Sequence, residues 1–204
     1  MHQLSDLTPT HLDLLKEAGN IGAAHAATAL STLLHERIEM NVPSVTIMPM
    51  NELMKKDAEK YVAATFIEVT GGLKGCYVMI FGEQQANSLI SRLIPSGTVD
   101  DGGMGSSAFC EISNILCGSY LSAISSMLDT RLIQSPPDFA VDMEGAILGE
   151  ALNELSLYDD SVLMIDTALF HQEQQDKLSG EFLFMPYPGS LDLIFSLAAG
   201  ETSL

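Results

Sequence analysis

The chain has 204 residues, 47% of them apolar, with 27 acidic and 9 basic side chains for a net charge of -18. That length allows one large domain or two small ones with a real core, and so acidic a surface argues against nucleic acid as a partner. No run of eighteen apolar residues is present to span a membrane, and the start MHQLSDLTPTHLDLL lacks the basic and apolar segments of a secretion signal.

Thr8 reads as a helix cap and Pro9 as a first-turn residue, opening a helix to about Leu34. Arg37 to Val42 reads as a strand stopped by Pro43, continued by Val45 to Met48, and a short helix follows near Asn51 to Lys56. Ala63 to Val69 and Leu73 to Phe81 are β-rich runs around TGG, a hairpin signal, and Glu83 to Leu93 is helical in pattern. PSGTVDDGGMG, 95 to 105, is turn-rich and reads as a linker. Beyond it the pattern predicts a helix over 106–128, a strand near Arg131 to Gln134, and a helix from Val141 to Leu155. Strands over 161–170 and 180–185 come next, joined by the polar loop HQEQQDKLS, and a last helix starts near Ser190.

This order repeats itself. Sliding the chain by 94 residues lays 13–43 on 107–137 without a gap, and 8 of 31 positions are identical, beginning with Glu17, Asn20 and Ile21. Ordinary composition gives about two. The spacing predicts a duplication: one domain of two repeats, about 8–94 and 104–200, with a linker near 95–103. The expected fold is α+β in two layers. The pseudo-symmetric repeats share a mixed or antiparallel sheet, with two long motif-bearing helices on one face.

On helical geometry Asp13 lies about 40° and Asn20 about 60° to the same side of Glu17, opposite the apolar stripe through Leu15, Ala18, Gly22, Ala26 and Leu30. Ser107, Glu111 and Asn114 sit likewise on the second helix, away from Phe109, Ile112, Leu116 and Tyr120. Burial therefore does not explain the Glu and Asn. A solvated face is the bland alternative, weakened because the same two residues recur in the same register. The small residues beside them, Ala24 and Gly118, either leave room for another molecule or let the two helices pack.

An asparagine is neither base nor nucleophile, but its carboxamide orients a water or an oxyanion. A glutamate serves as a base, a metal ligand or half of an ion pair. No complete site accompanies them. The five histidines do not repeat, no HExxH, Walker or GxSxG pattern occurs, and TGGLKG between β runs reads as a turn. Three cysteines without a CxxC fit a reduced, cytoplasmic protein. The acidity is uneven, -5 over 1–102 and -13 over 103–204, which serves solubility or a basic docking partner. The Glu/Asn pairs are thus expected to complete a site on another molecule.

The pattern Asp13-Glu17-Asn20-Pro43, repeated as Ser107-Glu111-Asn114-Pro137, resembles the signature of the CheC/CheX/FliY phosphatases of chemotaxis. EAGNIGAAHAATALS and EISNILCGSYLSAISSMLD look like CheC-type sequence in particular, and the likeness covers nearly the whole chain. It implies hydrolysis of the aspartyl phosphate on a CheY-like response regulator. Asn20 and Asn114 would orient the attacking water, and Glu17 and Glu111 would pair with the receiver's lysine. It further implies no cofactor or metal on this chain, magnesium being expected in the receiver, and CheD deamidase as a second partner. A non-catalytic adaptor for CheD or a receiver is the alternative. His25 stands where Asn is common, Ala24 and Ser113 where Gly is usual, which puts the relative strength of the two sites in question. Two motifs suggest a monomer, since one-motif relatives dimerise. The chain shows neither the tethering segment nor the switch-complex domain of FliY, so a CheC-type protein is expected rather than a switch component.

Overall fold

Thr8 does open the first long helix, α1 (Pro9–Leu34), and its backbone N–H donates to Nδ1 of the buried His11 at 2.9 Å. In chain order there follow β1 (Ile38–Asn41), β2 (Val45–Pro49), α2 (Met50–Leu53), β3 (Tyr61–Gly71), β4 (Gly75–Gly82) and α3 (Glu83–Leu93). The second half has α4 (Met104–Met127), β5 (Leu132–Gln134), β6 (Asp138–Met143), α5 (Glu144–Leu155), β7 (Ser161–His171) and β8 (Lys177–Pro186). The computed structural model describes residues 3–55, 58–100, 103–155, 160–171, 177–187, 189–192 and 194–195. The helix expected from Ser190 lies largely outside the described residues.

Among the described residues every strand pairing is antiparallel, and eight strands make one sheet. Its order is β1-β7-β8-β4-β3-β5, with β2 also on β7 and β6 also on β3. Each half thus gives its first two strands to the other half's hairpin. The registers match across the halves. Met40 faces Leu169, and moving Met40 by 94 and Leu169 back by 100 gives the observed pair Gln134 and Val69. At the centre β4 meets β8 with Met79 opposite Phe182. The six-residue change in offset falls where α5 has 12 residues and α2 has 4.

Two expectations need correction. Residues 141–143 are strand, not helix: Asp138–Met143 hydrogen-bonds along Phe66–Tyr61 of β3, and the helix starts at Glu144. A sheet partner that sequence does not display overrides the local pattern there. The loop expected over 171–179 is also shorter, because His171 ends β7 and Lys177 opens β8. The TGG turn is a hairpin as read, and its glycines have a second task. Gly71 sits at φ 113, and a Cβ there would lie 2.1 Å from the Arg131 carbonyl oxygen, so only glycine lets β5 approach.

Both faces of the central strands are covered, which is why they read as continuous apolar runs. Ala63, Ile67, Tyr77, Met79, Phe81, Phe182 and Phe184 pack under α1, α3 and α4, while Val62, Ala64, Val78, Ile80, Leu183 and Met185 pack towards α2 and α5. Among the described residues no helix is long and apolar enough to cross a membrane. Burial, aided by Glu68, raises the Cys76 thiol from its ordinary 9.0 to about 11. Between those values the unfolded chain loses a proton that the folded chain keeps, so stability should fall as pH rises from about 9 to 11, by at most about 1.4 kcal/mol per pH unit for this group. Urea titrations across that range, with Cys76→Ala as a flatter comparison, check the slope.

The two long helices meet at Gly22. A Cβ there would lie 2.8 Å from Tyr120 Cα and 2.8 Å from its ring, contacts that backbone movement alone relieves. Gly22→Ala is expected to cost about 1–3 kcal/mol. Gly118→Ala, whose new Cβ reaches the Gln134 side chain at an ordinary 3.4 Å, should be neutral or slightly stabilising. Unfolding midpoints in urea separate the two.

Candidate active site

Glu17 and Glu111 are exposed on α1 and α4, and no described residue pairs with either. Asn20 and Asn114, one turn further on, are half-buried. Asn20 Oδ1 accepts the Val42 N–H at 3.0 Å, joining the helix to the connection between β1 and β2. This contact ties Asn20 to the residue just before Pro43. Pro43 follows immediately and holds Val42 extended, with its N–H directed at the helix. With Oδ1 engaged inside the chain, the Nδ2–H groups are the donors left for another molecule.

The second motif is built differently. Gln134 Nε2, from β5, donates to Asn114 Oδ1 and, at 3.2 Å, to the Asn114 backbone carbonyl. A groove of about 600 Å³ lies over this motif, lined by Ser107, Cys110, Glu111, Asn114, Gln134 and Pro137 among others. Ser113 is fully buried, and its hydroxyl bonds that of Thr65, tying α4 to β3 beneath the groove. Its departure from glycine is therefore structural. Ala24 is exposed and Gly118 lies against Gln134, so neither makes the helix-to-helix contact; Gly22 does.

The grooved site offers no competing chemistry of its own. Burial and the Asp138 carboxylate push the Cys110 thiol up, so at neutral pH it is a thiol and not a thiolate nucleophile. Among the described residues no group of three or more His, Cys, Asp or Glu side chains is arranged to hold a metal ion. What the structure presents, twice, is an exposed carboxylate beside a fixed carboxamide. Such a pair grips a cation and places a water; it holds no phosphoryl group, metal or leaving group.

Comparison with known proteins agrees with the motif. Residues 11–47 and 104–141 match the model of a CheC-like family, two segments that the 94-residue offset superimposes to within one residue. The chain is 36% identical over 191 residues to the CheY-P phosphatase CheC of Bacillus subtilis (strain 168), covering 90% of this chain and 91% of that one. With the flagellar motor switch phosphatase FliY of the same organism it shares 30% identity over 139 residues, 66% of this chain but 36% of the other. The fold resembles the crystal structure of Thermotoga maritima FliY, with a TM-score of 0.77 at 22% identity, covering 97% of this chain and 98% of that one.

Proposed function

This chain belongs to the CheC-like family, and from that premise we propose that it hydrolyses the aspartyl phosphate of a CheY-like response regulator in chemotaxis signalling. The observation that carries the reading is the paired geometry: Glu17 with Asn20, and Glu111 with Asn114, each carboxamide fixed through Oδ1 with its donor edge free. Glu17 and Glu111 bind the receiver's lysine. Asn20 and Asn114 enter the receiver's site and hold a water in line with the phosphorus. The water oxygen forms the new P–O bond, the bond to the aspartyl oxygen breaks, and the carboxylate leaves with the electron pair. Placement supplies the rate, as with the water-orienting glutamine of GTPases. On this reading the magnesium is held by the receiver and this chain carries none of its own.

The same reading takes the chain as a cytoplasmic monomer and as one domain of two repeats, about 8–94 and 104–200. The shared strand registers and the twofold family match support the repeats. CheD as a second partner is supported by the resemblance of the motif strings to CheC-type sequence. The test is the lifetime of a phosphorylated CheY-like receiver with magnesium. A tenth of an equivalent of this chain is expected to shorten it many times over. A complex that forms and leaves the lifetime unchanged would establish the adaptor instead.

A further inference from the structure

The two carboxamides are held by different means, and the difference is compensated residue by residue. Position 42 shifted by 94 is Pro136, which has no N–H to offer Asn114. Position 40 shifted likewise is Gln134 in place of Met40, and its Nε2 supplies the missing donor. Position 24 becomes Gly118 in place of Ala24, and Gln134 lies directly against it, with Oε1 3.4 Å and Nε2 3.7 Å from where a Cβ would sit. Gln134 Oε1 is itself buried without a hydrogen-bond partner. A buried orphan carbonyl opposes folding, so the methionine of the first half would serve stability better. Stability therefore does not explain the glutamine.

We propose that Gln134 is the positioning residue of the second site, holding Asn114 Oδ1 so that its Nδ2 edge faces the groove. The first site uses a backbone donor in the short connection between β1 and β2. The second uses a side chain, so its alignment is set, and can be lost, separately. The consequence for rate rests on the hydrolase reading above; the positioning itself does not.

The experiment uses the full chain in an Asn20→Ala background, where only the second site works. Gln134→Met, which copies the first half, is expected to lower kcat about tenfold with KM unchanged. It should also move the Asn114 side-chain amide signals towards the positions of a solvated asparagine, because Oδ1 loses its donor. Pro136→Val, which returns the backbone N–H found at Val42, should restore both readouts in the Gln134→Met chain. In an Asn114→Ala background Gln134→Met should change nothing. Unchanged Asn114 amide signals and unchanged kcat, or an equal loss in both backgrounds, would overturn the proposal. If the wild-type chain shows no phosphatase activity yet the amide signals respond to both substitutions, the positioning stands and the hydrolase reading falls.

Discussion

Replacing both Asn20 and Asn114 with alanine is expected to lower receiver dephosphorylation by at least about 100-fold while changing receiver affinity less than about threefold. The two halves of this expectation come from different side chains. A preorganised amide donor that acts only on the reacting water contributes about 10²–10³ in rate, and losing it leaves ground-state contacts in place. On the proposed reading, affinity rests instead on Glu17 and Glu111, which are exposed, have no partner among the described residues and are untouched by the substitution. Each single variant should retain the activity of the other site, since Asn20 and Asn114 stand on separate helices with separate supports. Phosphate release at saturating receiver, together with affinity measured by titration, separates rate from binding. Equal losses in both would assign the asparagines to docking.

Phe182→Ala should cost about 3–5 kcal/mol, a large part of the stability of an ordinary domain. Phe182 is fully buried at the seam between the halves, opposite Met79. Its ring lies 5.6 Å from Tyr77, 6.2 Å from Phe81 and 5.7 Å from Tyr120. Truncation leaves a void bounded by rings from both halves, which rigid aromatic walls do not close. Since β1 and β2 complete the sheet only on β7, and β5 and β6 only on β3, loosening this seam should unfold both halves together. Chemical unfolding followed by far-ultraviolet and aromatic signals checks this, and two separated transitions would show that the halves are independent.

Much of the fold and site could be read from residues alone, for reasons that also mark the limit. The long helices show because Leu15, Ala18, Gly22, Ala26 and Leu30 keep a 3.6-residue period for many turns, and the β3–β4 hairpin because β runs flank TGG. The exchange of strands between halves was hidden, since nothing local in Ile38–Asn41 or Asp138–Phe139 names a partner more than 60 residues away. The strand over 141–143 was hidden too. Yet the 94-residue offset carries Ile47–Pro49 onto Val141–Met143, so the duplication held a signal that local pattern did not. The Glu/Asn pairs stood out because they recur. Gln134 did not, because at its position the repeats differ, and its role is visible only once Pro136 is seen to lack the N–H that Val42 donates.

Phosphate released from an excess of phosphorylated CheY-like receiver by a catalytic amount of this chain tests the central claim most directly. The wild-type chain and the Asn20→Ala, Asn114→Ala chain should be run side by side with magnesium. The expected result is many equivalents of phosphate per wild-type chain, and decay at the receiver's own rate with the double variant. A wild-type chain that releases nothing beyond that rate, or a double variant that matches wild type, would contradict it.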